Sequence, residues 1–213
     1  SGRKLVNIQR FPLEVKVDAA PPLVKFAADF GIIEANEGGI LPVTVRAVEP
    51  ALAQRISKVS GDMLRVEGSD GQIAQWLRDL DDAGDNDFRT ETIRGEKVDV
   101  NYTGTKSLLN GRGEGMSLAL PGKGKDFEVV GIPLKAPGFY VVELNSPVLG
   151  QTLLGRNVPR YVAAGAPVTN MAVHFKWGRE ASLAWVTTLD TGLPVAGADV
   201  RVTDSCDGRQ LAR

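Results

Sequence analysis

Residues 182–204 read SLAWVTTLDTGLPVAGADVRVTD, and this stretch decides the fold class. Leu183, Trp185 and Thr187 fall on one side of an alternating run, and residues 198–204 alternate again. Two half-buried strands joined by a turn are expected. The turn spans residues 190–198. Gly192 permits a positive φ, Pro194 fixes the re-entry, and Ala198 is small where the returning strand begins beside its neighbour.

The same pattern continues outward. Short strands are expected at about 88–100, 116–120, 126–132, 138–145, 159–163, 169–176, 182–189 and 198–204. Upstream, FPLEVKVD (11–18) alternates at Leu13, Val15 and Val17 before Pro21 and Pro22 interrupt it. Residues 23–30 and 40–48 flank a turn at Gly38 and Gly39, with Leu41, Val43 and Val45 on one face. Pro42 belongs at a strand start or on an edge, because it has no ladder donor. Two short helices interrupt the strands. One is expected at 50–58, with Pro50 in its first turn. Asp70 caps the other, in which Ile73, Trp76, Leu77 and Leu80 form one apolar face that covers the end of a sheet. Residues 81–87, DDAGDND, read as a polar loop, and 110–115 and 121–125 as glycine-rich loops.

The chain of 213 residues has 43% hydrophobic and 24% charged residues and a net charge of −1. That composition supports a packed core and supplies no basic field for nucleic acid. With 24 glycines and 12 prolines, short strands and turns fit better than long helices. No apolar run approaches the roughly 18 residues of a membrane span. The opening SGRKLVNIQ has no initiator Met and no secretory leader, which reads as an excised fragment in which Ser1 and Gly2 are a cloning scar. The single cysteine, Cys206, has no internal disulfide partner.

Candidate chemical sites each have a plainer reading. His174 is the only imidazole. It alternates with Met171, Val173 and Phe175 and is expected on the open side of a strand, and no Gly-x-Ser-x-Gly elbow accompanies it. One Cys and one His do not make a structural zinc site. Asp81, Asp82, Asp85 and Asp87 lack the spacing and terminal Glu of a calcium loop and read as a solvated turn. Lys123 is followed by Gly124 where a phosphate loop needs Ser or Thr, and Gly111, Gly113 and Gly115 make no dinucleotide fingerprint. Both segments are expected to be hairpin tips. Trp76 belongs to the helix face, Trp177 ends a strand, and Trp185 is expected to pack in or beside the core. Asn101-Tyr102-Thr103 matches a glycosylation sequon of a kind common by chance. No catalytic, cofactor-binding, metal or thioester residue is assigned.

The segment DTGLPVAGA (190–198) resembles the T-G-x-P-V-x-G-A turn of macroglobulin-like domains in the alpha-2-macroglobulin family. LKAPGFYVV (134–142) is similar to that family's Pro-Gly-aromatic-Tyr strand, which closes a domain. LPVTVRAV (41–48), followed by the helix with Trp76 and Leu77, is similar to an early domain of the bacterial members. The resemblance covers about 21–213. It implies a large envelope protein, often a periplasmic lipoprotein, in which a cut bait region triggers a rearrangement that encloses or tethers the protease. Tethering uses a Cys-x-Glu-Gln thioester. Here Cys206 precedes Asp207, Gly208 and Arg209, so that motif is absent from this chain.

The expected fold class is all-β. It comprises antiparallel macroglobulin-like (Ig/fibronectin-like) β-sandwich domains, with one or two short helices inserted in the first. Residues 1–20 are expected to be the tail of a preceding domain or a linker, 21–165 a sandwich domain, and 166–213 part of a second. The small, turn-prone run AAGAP (163–167) marks the boundary. The expected role is a non-catalytic segment of a bacterial protease trap, without cofactors. Its partners would be the neighbouring macroglobulin domains, target proteases through the full-length protein, and a membrane only through a parent lipid anchor. An Ig-like adhesin or carbohydrate-binding module is the competing reading.

Overall fold

Residues 139–144, FYVVEL, are apolar in both of their alternating rows except at Glu143, the pattern of a strand covered on two faces. The computed structural model, which describes residues 12, 14–17, 23–46, 58–119 and 127–213, has that arrangement. In chain order the elements begin with β1 (Leu23–Phe26), β2 (Ile33–Glu34), a 3-10 turn (Ala35–Glu37), β3 (Ile40–Arg46), β4 (Lys58–Val66) and α1 (Asp70–Gly84). Then come β5 (Phe88–Ile93), β6 (Glu96–Asn101), β7 (Glu114–Ala119), β8 (Phe127–Pro133), β9 (Gly138–Ser146), α2 (Pro147–Leu154) and β10 (Arg160–Thr169). The chain finishes with β11 (Met171–Lys176), β12 (Leu183–Thr188), β13 (Val202–Thr203) and β14 (Gln210–Ala212).

Two sheets form the sandwich, one ordered β1-β3-β8 and the other β2-β10-β9-β4-β7. All their pairings are antiparallel except the short β2–β10 contact. Val24, Phe26, Leu41, Val43, Val45 and Ile132 from the first sheet meet Tyr140, Val142, Leu144, Ala164, Ala166 and Val168 from the second. Each large side chain buried there contributes about 1.5–3 kcal/mol. The opposite row of β9, Phe139 and Val141, packs with Leu80, Leu109, Ile73 and Trp76. Helix α1 therefore covers the outer face of the five-stranded sheet, not its end.

Several expectations change. Ser69, not Asp70, caps α1: its N–H donates to Gln72 Oε1 at 2.8 Å, while Asp70 pairs with Arg201 at 3.1 Å. The helix continues through Asp81 and Asp82 to Gly84 where a loop was expected. Residues 88–100 are a hairpin and not one strand, because Arg94 (φ 54°) and Gly95 (φ 88°) both adopt the left-handed geometry of a tight two-residue turn. Pro42 lies in the middle strand of its sheet. The β1 ladder stops at Val43, so β3 is locally an edge beside Pro42. Residues 163–167 are not a turn. They lie within β10 and pair along β9, and the absent side chain at Gly165 lets Leu80 and Phe139 approach. Sequence reasoning missed β4, whose alternation is masked by Gly61, and α2, which Ser146 caps at Leu149 N (3.2 Å) with Pro147 in the first turn.

The opening stretch is also rebuilt. β12 pairs with β11, opposing His174 to Trp185. Gly192 has the predicted positive φ (69°), and residues 193–195 return only briefly, with Val195 N donating to Val186 O at 2.9 Å. Of residues 198–204, only Val202 and Thr203 are strand, and their partner is β14. Pro194 and the second positive-φ glycine, Gly197 (71°), stop the returning strand early. Glu14, Val15, Lys16 and Val17 belong to no regular element, and Val15 and Val17 are exposed. The rest of the strand expected at 11–18 lies outside the described residues, apart from Pro12, which sits in a bend. So do the helix expected at 50–58, except for Lys58 at the start of β4, and the loop at 121–125.

A Cβ added at Gly150 would lie 1.5 Å from Val158 O. Gly150→Ala is therefore expected to destabilise by at least about 1–3 kcal/mol, and Leu144→Ala by about 2–5 kcal/mol. Urea unfolding followed by tryptophan fluorescence checks both, and an unchanged midpoint for either contradicts this packing.

Candidate functional site

Among the described residues, Glu143 is the one charged side chain of the fully buried set. It projects from β9 toward the segment between β6 and β7. Its carboxylate accepts from Ser107 Oγ and from Leu108 N, both at 2.5 Å. Ser107 Oγ in turn accepts from Asn110 N at 2.7 Å. These bonds satisfy the buried carboxylate and fix the loop, so that Leu109 is fully buried under α1. A cavity of about 170 Å³ lies beside it, lined among others by Asp29, Lys106, Glu143 and Arg160. Burial pushes the Arg160 guanidinium below its ordinary value. With both oxygens engaged, Glu143 is placed to hold a loop, not to move a proton.

The β5–β6 hairpin is fastened at its base by Tyr102, whose ring lies between the guanidiniums of Arg89 (4.7 Å) and Arg156 (4.2 Å). Arg89 also forks onto Asp87 at 2.9 and 2.5 Å. That hydrogen bond, chiefly, holds the Asp87 carboxyl below the usual range. The acidic run is therefore divided: Asp81 and Asp82 are helical and Asp87 is paired. Among the described residues no three His, Cys, Asp or Glu side chains form a metal cluster. Asn101 Oδ1 accepts from Thr103 N at 2.8 Å, and Thr103 Oγ1 accepts from Asp87 N at 3.0 Å. The sequon thus serves the local turn.

His174 is exposed, with Nε2 3.3 Å from Thr187 Oγ1. Trp185 is 50% exposed and Trp177 81% exposed, the latter meeting Phe175 edge to face at 6.2 Å. Trp76 lies under the Arg112 guanidinium at 4.7 Å. Gly111 and Gly113 take positive φ in the loop before β7. Cys206 sits exposed in the β13–β14 turn, its N–H donating to Asp204 Oδ1 at 2.7 Å. The sequence-level candidates among the described residues are thus scattered, and no two of them form a reacting pair; Lys123 and Gly124 lie outside the described residues. The largely apolar groove where α1 meets the C-terminal strands was not anticipated. It encloses about 450 Å³, with Ile73, Ala74 and Leu77 on one wall and Met171, Val173 and Val186 on the other. The readable signal was Leu77, which points into this groove and away from the core.

Residues 168–213 match the family model described as the bacterial alpha-2-macroglobulin MG3 domain. Two solved structures are similar in fold. One is native alpha-2-macroglobulin from Escherichia coli spanning domains MG0-NIE-MG1, with a TM-score of 0.54 and 16% identity over 93% of this chain and 55% of that one. The other spans NIE-MG1 of the same protein, with a TM-score of 0.55 and 14% identity over 90% of this chain and 81% of that one. This chain therefore spans about half the length of the first. None of the curated proteins compared matches the sequence.

Glu143→Gln places an amide NH2 against a donor and is expected to cost about 1–3 kcal/mol. An unchanged urea midpoint contradicts the anchoring role. The Asp87 carboxyl should titrate below 3.8. Its folded value lies below its unfolded one, so its contribution is present above the ordinary range and lost as pH falls through the folded value. Arg89→Ala should return the midpoint toward 3.8, as read by carboxyl NMR.

Proposed function

We propose that the chain is a non-catalytic scaffold segment of a broad-spectrum protease trap of the bacterial alpha-2-macroglobulin family, whose MG3 domain model residues 168–213 match. The observation that carries this reading is the MG3 match, which begins at residue 168 near the end of β10 and runs over the β segment that follows the two-sheet sandwich. In this proposal the first module ends with β10, a few residues beyond the expected boundary at 165, and the remainder is part of a second module. The apolar side chains of Met171, Val173, Phe175, Leu183 and Trp185, all at least half exposed, support that incompleteness. The register puts Met171, Val173 and Phe175 on one face of the hairpin and Leu183 and Trp185 on the other, so a facing sheet would cover one of these two apolar rows.

Inhibitor activity is proposed for the full-length protein, with neighbouring macroglobulin domains and target proteases as partners. Any thioester and bait region would lie elsewhere in that protein. An envelope, periplasmic setting with a lipid anchor on the parent is part of the same reading. No helix among the described residues is long and apolar enough to cross a membrane. One observation favours a second reading, a carbohydrate-binding module: Trp177 offers an 81% exposed ring.

Incubated with a panel of proteases, the chain is expected to form no adduct that survives a denaturing gel and to cleave no peptide substrate. A protease-linked band or measurable turnover sinks the scaffold reading. Glycan-array binding that disappears in Trp177→Ala replaces it with the second.

A further inference from the structure

The step from β10 to β11 is the single residue Asn170. Asn170 is itself tied to the far end of the β11–β12 hairpin. Its carbonyl accepts from Leu189 N at 2.9 Å, and its Oδ1 accepts from Asp190 N at 3.2 Å. On the other side, Thr169 is the last residue of β10 to pair, opposite Glu34. The covalent connection between the two parts is therefore one backbone junction, Thr169–Asn170, with rigid sheet on each side.

The non-covalent connection is thin and mostly polar. Asn36 Nδ2, beside the 3-10 turn, donates to Asp190 Oδ2 at 3.0 Å. Arg201 Nη1 meets Asp70 Oδ2, in the first turn of α1, at 3.1 Å with both side chains more than a third exposed. Gly71 and Gly208 touch backbone to backbone, so that a Cβ built on Gly208 would lie 2.9 Å from Gly71 Cα. Between these points the apolar walls do not close. Leu77 remains 38% exposed, Met171 51% and Val173 59%, across the groove of about 450 Å³. Interfaces that fix two bodies rigidly are large, apolar and packed at interior density. This one has a void where its seam would be.

We infer that Thr169–Asn170 is a hinge, and that the Asn36–Asp190 and Asp70–Arg201 contacts are two clasps that hold the β11–β14 segment against α1 in the observed orientation. α1 is the fulcrum. Its Ile73, Trp76 and Leu80 are locked to the five-stranded sheet, while its first turn and Leu77 face the moving part. The clasps grip separate points of the segment, one just after β12 and one just before β13, so breaking one leaves the other as a partial restraint. Exposed pairs of this kind shift an equilibrium by a factor of roughly 1.4 to 5 each and weaken with salt. The inference stands on the junction itself and does not depend on the protease-trap reading.

The test places spin labels at Ser117→Cys on the exposed edge strand β7 and at Arg179→Cys, a 96% exposed side chain in the β11–β12 loop, in a Cys206→Ser background. Pulsed dipolar spectroscopy then reads the distance between the two parts in the whole chain. A single narrow distribution at low salt is expected. It should broaden in Asn36→Ala with Arg201→Ala, and in the unsubstituted clasp at about one molar salt. A distribution that stays narrow under both treatments makes the junction rigid and overturns the inference. One already broad at low salt with the clasps intact also overturns it, because the clasps then hold nothing.

Discussion

Strand β9 has no solvent-facing side. Tyr140, Val142 and Leu144 look into the space between the two sheets, while Phe139, Val141 and Glu143 look outward and are covered by α1 and the loop before β7. That double burial dictates each neighbour of β9. β4 and β10 flank it along most of its length, so its backbone bonds are met on both edges. β10 carries small residues on its outer row, Ala163 and Gly165, because Leu80 must reach Phe139 there. A larger residue at 165 would lift the helix and uncover the strand.

Glu143 shows what the outer cover requires. A loop lying over a sheet brings backbone N–H groups into a place without water, and each needs an acceptor. One carboxylate meets both the Leu108 amide and the Ser107 hydroxyl, and the hydroxyl passes the link on to Asn110. A chain of three bonds thereby replaces a patch of apolar packing and leaves Leu109 seated beneath. Each of the two carboxylate oxygens accepts one bond from the loop, which is what makes Glu143 an anchor.

The all-β class, the alternation of Leu41, Val43 and Val45, and the apolar stripe of α1 were legible because a period of two or 3.6 survives in the residues themselves. β4 was not, since Gly61 removes a side chain where the Glu143 carbonyl approaches, so the alternation breaks for a reason that lies in another strand. The run 163–167 looked like a linker for the same cause: small residues mark close approach as often as they mark turns. Strand partners were the least legible feature. Residues 182–189 and 198–204 sit at hairpin spacing, yet β12 takes β11 instead, because Pro194 and Gly197 leave the returning segment too little ladder. The groove beside Leu77 depends on the placement of two bodies, which no local pattern encodes.

The two exposed hairpins differ in how they would behave in a crowded solution. β5–β6 has open edges, but Arg89, Glu91, Arg94, Glu96, Lys97 and Asp99 spread both signs of charge along them, which discourages another strand from adding. β11–β12 carries Met171, Val173, Phe175, Leu183 and Trp185 with only Lys176 and His174 between them. Phe88, Ile93 and Val98 are exposed on β5–β6 as well, but there they are interspersed with charges, so in concentrated solution self-association would begin at the hairpin bearing Trp185.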